Sequence, residues 1–218
     1  MFASTDWSAW HAMYDDPRSS LSRRLALVRE QLAVILDSSG PGRVRLLSMC
    51  AGDGRDVLPV LASNRTQASA VLVELDPALS SAARGTAREL GLTSVEVRTA
   101  DAGLVDTYAG VPPVDVLLAC GVFGNITDAD VRSTVRAFPQ LLAPNASVIW
   151  TRGNRSDGDP TTTDGDPADM VRSVFADFDF VEDAFVCPED ARFRVGVHRF
   201  TGEPQSRAHG ATMFSFLR

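Results

Sequence analysis

The chain has 218 residues, 44% of them hydrophobic, and a formal net charge of −7. Those values suit one domain with a real core, and the lack of any basic run or Arg/Lys stripe argues against a nucleic-acid backbone as partner. No apolar run approaches the ~20 residues that span a bilayer, the start MFASTDWSAWHAMYDD has neither the basic head nor the apolar centre of a secretory leader, and Cys50, Cys120 and Cys187 lack metal-ligand spacing, so a cytoplasmic, reduced protein without a metal is expected.

In chain order, residues 4–14 carry Trp7, Trp10, His11 and Tyr14 at steps of three and four, which predicts one or two helical turns. Asp16-Pro17 reads as an N-cap and first helical position, and Leu21, Leu25, Val28, Leu32 and Ile35 continue an amphipathic helix to about Leu36. The run Val44 to Met49 is a strand. It breaks into Ala51-Gly52-Asp53-Gly54 and leads into an apolar-periodic segment to about Ala62, with Pro59 inside it as a kink or tight first turn. This strand, glycine turn and helix predict a backbone that approaches a ligand closely, with the helix N-terminus aimed at the same place.

Ala70–Glu74 is a second strand, Pro77 opens a helix stopped by Gly91, Ser94–Arg98 is a third strand and Val114–Ala119 a fourth. Thr127 caps the next helix, whose length Pro139 limits, and Ser147–Trp150 is strand five. Thr151 to Pro167 is a long loop dense in Gly, Asp, Pro and Thr; Asp166-Pro167 starts another helix; Phe180–Val186, Phe193–Phe200 and Thr212–Leu217 are three strand candidates that should pair antiparallel at one edge. Residues 1–42 then form an N-terminal helical cap on one compact domain spanning 43–218. The alternation of strand and helix predicts an open α/β sheet with helices on both faces.

Ligands on such sheets lie beyond the carboxyl ends of the strands. The glycine turn, Glu74, Asp101 and Cys120-Gly121 each end a strand on that rim. A carboxylate at Glu74 can accept both hydroxyls of a ribose, with Asp76 the weaker candidate, and Asp101 can accept the amine of an adenine. The turn does not carry the G-x-G-x-x-G spacing of a dinucleotide fold, and no G-x-x-x-x-G-K-[ST] loop is present.

These residues together resemble the class I S-adenosylmethionine-dependent methyltransferases, in particular a bacterial group of them, over roughly Val44 to Trp150. Gly52 and Gly54 match the last two glycines of the family's acid-x-Gly-x-Gly-x-Gly motif, while Ser48 stands at the acid and Cys50 at the first glycine. The resemblance implies a Rossmann-like, mostly parallel seven-stranded sheet with an antiparallel edge strand and S-adenosylmethionine as cofactor. It implies cofactor contacts from Cys50, Ala51, Gly52 and Gly54 in the turn, Glu74 at the ribose with Leu75 beside it as a further cofactor contact, Asp101-Ala102 at the adenine, and Cys120-Gly121 toward the methionine and acceptor. N-terminal helices cap this rim in the family, so Tyr14 or His11 is expected over the cofactor's carboxylate or at the acceptor.

Asn125 and Arg152, just after strands four and five, are candidate contacts to a small-molecule substrate. His11, with Asp15 behind it, is the candidate base, and the 151–167 loop a candidate lid. Cys50 and Cys120 are either a redox pair or buried small residues, and His198 reads as a structural histidine rather than a base. Two other readings stand: a non-catalytic cofactor-binding relic of the fold, favoured by Ser48 and Cys50, and a nucleotide-dependent oxidoreductase, disfavoured by the glycine spacing.

Overall fold

The computed structural model describes residues 14, 16, 18–40, 42–153 and 166–217. The expected helical turns up to residue 13, with Trp7, Trp10 and His11, and most of the 151–167 loop lie outside the described residues, as do Asp15 and Pro17.

The first described helix, α1 (Ser20–Ser38), is capped by Ser19, whose hydroxyl accepts the Ser22 N–H at 3.0 Å. This moves the expected cap from Asp16 to Ser19. Asp16 instead closes the preceding turn, its carboxylate accepting the Arg18 N–H and its carbonyl the Ser19 N–H. The strands are β1 (Val44–Met49), β2 (Ala68–Glu74), β3 (Val95–Thr99), β4 (Val114–Ala119), β5 (Leu142–Gly153), β6 (Phe180–Val186) and β7 (Phe193–Phe200). Between them lie α2 (Leu58–Ser63), α3 (Pro77–Glu89), α4 (Asp128–Ala137) and α5 (Pro167–Ala176). Local chemistry sets these helix starts: Asp76, Thr127 and Asp166 each accept first-turn N–H groups, and prolines follow Asp76 and Asp166 directly.

The seven strands form one sheet in the order β3-β2-β1-β4-β5-β7-β6. Pairing is parallel from β3 to β5, and β7 runs antiparallel to both β5 and β6. The antiparallel strand therefore lies one position in from the edge, and β6 forms the edge itself. Thr212–Leu217 is not a strand. It makes a single bridge, Leu104 to Thr212, and then crosses the rim: the Met213 N–H donates to the Gly103 carbonyl at 2.7 Å and the Leu217 N–H to the Asn125 carbonyl at 2.8 Å. Met213 and Phe214 are buried beneath it, so the apolar run that suggested a strand anchors a strap instead.

Successive strand residues face opposite ways, which gives two cores. One holds Leu47, Leu117, Phe123, Trp150, Phe175 and Phe200, under α4 and α5. The other holds Leu46, Leu58, Leu72, Val116, Ile149 and Val195, covered by α1 through Val28, Leu32 and Leu36. In the first core His198 is 2% exposed; its Nδ1 accepts the Trp150 indole N–H at 3.0 Å and its ring stacks on Phe175 at 4.3 Å. Burial pushes its pKa down to about 4 against the pull of Glu182, so this histidine is neutral and structural.

Candidate functional site

Because β1 to β5 are parallel, their carboxyl ends share one rim. A cavity of about 430 Å³ opens there, within the ~300–1,000 Å³ typical of small-molecule sites. It is bordered by the turn after β1, by Glu74 to Pro77 after β2, by Asp101-Ala102 after β3 and by Cys120-Gly121 after β4. Ten of the expected cofactor residues meet there: Tyr14, Cys50, Ala51, Gly52, Glu74, Leu75, Asp101, Ala102, Cys120 and Gly121.

The turn is held by its own hydrogen bonds. The Ala51 N–H donates to the Val73 carbonyl of β2 at 2.9 Å, and the Gly54 N–H to the Ala51 carbonyl at 2.9 Å. Gly54 does not border the cavity. It takes φ +76, and a Cβ there would come within 2.7 Å of Leu58, so it is a glycine for packing and turn geometry. Cys50 carries φ +52, a conformation that costs a residue with a Cβ, which explains why a glycine suits this place and shows that the cysteine fits it. The helix α2 begins only at Leu58, several residues beyond the turn, so its N-terminus is not part of the site. Pro59 falls in its first turn, where no hydrogen bond is lost.

Glu74 anchors the centre. One carboxylate oxygen accepts the Gly52 N–H at 2.8 Å and the other accepts the Asp76 N–H at 2.9 Å. Each oxygen retains lone-pair capacity toward the cavity. Leu75 beside it is 62% exposed, an apolar surface open at the rim. Asp101 turns one oxygen to the Gly103 N–H at 2.8 Å. Cys50 and Cys120 are free thiols at the ends of β1 and β4. Burial raises the pKa of each, helped at Cys50 by Glu74 and Asp101 and at Cys120 by Asp56, so both are neutral and unreactive. Among the described residues no group of His, Cys, Asp and Glu could hold a metal ion, and no helix is long and apolar enough to cross a membrane.

Several cavity residues carried no signal of their own in the sequence. Arg24 of α1 donates to the Tyr14 hydroxyl at 3.0 Å, and the Arg55 guanidinium lies 4.4 Å from the Tyr14 ring while pairing bidentately with Asp53. Arg29 donates twice to the Arg55 carbonyl, at 2.8 and 2.6 Å, which fastens α1 to the turn. Phe216, from the strap, also borders the cavity. None of these follows from a local motif, because each depends on how a distant segment packs on the rim.

Asp56 also borders the cavity. Its Oδ1 is buried with no hydrogen-bond partner, and burial pushes its carboxyl up to about 6 from an ordinary 3.8, with Asp53 adding to the rise. The folded protein therefore takes up a proton here between about pH 6 and 3.8, and the charged form costs stability above that window. Asp56→Asn is expected to stabilise the fold by about 1–2 kcal/mol at pH 8, the gain shrinking toward pH 5. Urea titrations of both proteins at the two pH values check this; an unchanged difference contradicts it.

The two expected substrate contacts part company. Asn125 borders a second cavity of about 230 Å³ that adjoins the first, with Arg24 and Gly121 common to both. Arg152 borders neither. Its guanidinium is 5% exposed and donates to the Phe123 carbonyl and, at 3.1 Å, to Asp128. Its neighbour Thr151, which faces the other side of β5, lines the second cavity instead. His11 lies outside the described residues.

Residues 47–148 match a protein-family profile described as a methyltransferase domain. Among solved structures, magnesium protoporphyrin IX methyltransferase (ChlM) from Synechocystis PCC 6803 with bound SAM superposes with TM-score 0.66 at 13% identity, over 91% of this chain and 92% of that one. A possible exported protein from Bordetella parapertussis gives 0.65 at 17% identity, over 83% and 68%. The (4+2)-cyclase SpnF gives 0.64 at 16%, over 85% of each chain. At these identities the likeness is one of fold. A comparison with curated proteins finds no match.

Proposed function

We propose, on the premise that this chain has the fold of the class I S-adenosylmethionine-dependent methyltransferases and carries a methyltransferase domain, that it binds S-adenosylmethionine on the rim and transfers the methyl group to a small molecule. The observation that carries the reading is the cavity itself. It is open, and it lies against Glu74 and Asp101 at the positions where ribose and adenine contacts are expected. Five carboxylates (Asp53, Asp56, Glu74, Asp76, Asp101) and two guanidiniums (Arg24, Arg55) border it. That excess of negative charge suits a ligand with a sulfonium and an ammonium group, and disfavours the pyrophosphate of a dinucleotide.

The residues present fit the cofactor. Glu74 would take the ribose hydroxyls, Leu75 and Leu79 would flank the adenine, and Asp101 would accept its amine. When bound, the cofactor supplies a methyl group already activated for in-line displacement. The protein's part is to hold the acceptor behind that methyl and exclude water. Orientation of this kind removes several kcal/mol of barrier. Tyr14, held by Arg24 and Arg55, and Phe216 add aromatic surface to the cavity wall. The neighbouring second cavity gives an acceptor room, which favours an enzyme over a non-catalytic relic. Where the acceptor must lose a proton, His11 is the proposed base, and a flattened acid limb in the pH–rate profile of His11→Ala checks that role. The proposed setting is the cytoplasm, where the free thiols stay reduced.

Isothermal titration with S-adenosylmethionine, S-adenosylhomocysteine and NAD tests the cofactor. Binding of the first two between about 1 μM and 1 mM, and none of NAD, is expected. Absence of heat from either adenosyl ligand at the upper concentration refutes the reading. The fold also serves a cyclase, so product methylation needs its own assay with labelled cofactor.

A further inference from the structure

We propose that Asp56 receives the ammonium group at the cofactor's amino-acid end, and so selects a ligand that carries the amine over one that lacks it. This deepens the reading above and rests on it.

Asp56 has no structural task of its own. It precedes α2, yet that helix start has no side-chain cap. At α1, α3, α4 and α5, by contrast, Ser19, Asp76, Thr127 and Asp166 each accept a first-turn N–H. The Asp56 Oδ1 is sealed from solvent and accepts no hydrogen bond. The N–H groups of Asp56 and Val57 offset the burial only in part, which is why the carboxyl rises to about 6. Arg29, whose charge Asp56 feels, is tied by two hydrogen bonds to the Arg55 carbonyl rather than to the carboxylate. A buried carboxylate in this state is compensated when a ligand brings the cation.

Its place in the cavity points to the same partner. The rim runs in strand order from Asp101 after β3, through Glu74 after β2 and the glycine turn after β1, to Cys120 after β4. Cys50 feels the charges of Glu74 and Asp101, whereas Cys120 feels that of Asp56. Asp56 therefore belongs to the β4 end, away from the ribose and adenine positions. An adenosyl ligand with its base at Asp101 and its sugar at Glu74 has its amino-acid end there, one or two strand spacings along, about 5–10 Å.

The other groups near that end do not supply the anion. The Tyr14 phenol and the Cys120 thiol, which both face Asp56, are held neutral by burial. Asp53 is paired bidentately with Arg55. Of the five acids that border the cavity, Asp56 is the one with a sealed, unpartnered oxygen. A carboxylate and an ammonium form a charge-assisted hydrogen bond, and the low local polarity that raises the free acid strengthens that bond.

Titration calorimetry on the whole chain tests this at pH 8, with S-adenosylhomocysteine and with the same molecule lacking its amino group, on the wild type and on Asp56→Asn. The wild type should bind the amine-bearing ligand about tenfold or more tighter. Asp56→Asn should lose that preference, bind the deaminated ligand within about twofold of wild type, and melt no lower than wild type when empty. A second measurement needs no variant. At pH 6 the free carboxyl is half protonated and the ammonium drives the proton off. The wild type should therefore release up to about half a proton per S-adenosylhomocysteine bound, read from the dependence of the heat on buffer ionisation, and little with the deaminated ligand. Equal affinity for the two ligands, equal proton release, or a preference that survives in Asp56→Asn overturns the proposal. So does Asp56-dependent binding of butylamine to the protein saturated with S-adenosylhomocysteine, which would assign the carboxylate to an acceptor amine. Failure of both adenosyl ligands to bind the wild type refutes the cofactor reading itself, whereas equal binding of the two refutes this inference alone.

Discussion

Glu74→Ala is expected to weaken S-adenosylmethionine binding about 100-fold or more, close to 3 kcal/mol, while leaving the protein folded. The magnitude follows from two losses. Glu74 would offer charge-assisted acceptors to the ribose hydroxyls, each such bond worth about 1.5–3 kcal/mol. It also accepts the Gly52 and Asp76 N–H groups, one on each oxygen, and so sets the spacing between the glycine turn and the start of α3. Alanine removes both functions. Glu74→Gln separates them: its carbonyl keeps one backbone contact, while its NH₂ group faces the other N–H and repels it. An intermediate loss of about tenfold is expected for that variant. Glu74 is partly exposed at a strand end, so thermal unfolding should shift little. Titration calorimetry on both variants decides the matter, and wild-type affinity in Glu74→Ala would remove the ribose assignment.

Gly196→Ala should produce the largest loss of stability, about 3 kcal/mol or more. Gly196 on β7 lies directly opposite Trp150 on β5, and an added Cβ would collide with the indole ring. The indole cannot move aside cheaply. It is fully buried, packed against Phe123, Phe175 and Phe185, and tied through its N–H to His198. Overpacking alone costs about 1–3 kcal/mol, and leaving a buried indole donor unpaired adds about 1–3 kcal/mol. Trp150→Leu makes room, so the double variant should lose much less than the two single losses combined. Denaturant melts of the four proteins measure this coupling; simple additivity would show that the contact does not carry the effect.

These two positions differ in how far the sequence exposes them. Glu74 is legible because it ends an apolar run and precedes Asp-Pro, a local pattern that fixes a strand end and a helix start. Gly196 sits inside Val195 to Phe200 as an ordinary strand residue, and nothing in the string says that an indole lies over it. Arg152 and Thr151 show the same limit. Both follow strand five, and the period of two sends one to the cavity and the other to Phe123 and Asp128. Choosing between them requires knowing which face of β5 meets α1. The final segment, Thr212–Leu217, departs from the expected strand for a related reason. Its alternation fits a strand, but strand formation needs a free sheet edge, and this segment is held across the rim by Gly103 and Asn125.

By itself, the sequence determined the alternating strands and helices, the glycine turn, and the acids and small residues at the strand ends. Each is encoded within a few neighbouring residues by turn geometry, capping chemistry and apolar runs. Only the tertiary structure decided that Arg24, Asp56 and Phe216 border a cavity with them and that Thr151 borders its neighbour. Those side chains arrive from segments far apart in the chain, and their direction is set by which faces of helix and sheet pack together, a property that no short stretch of residues contains.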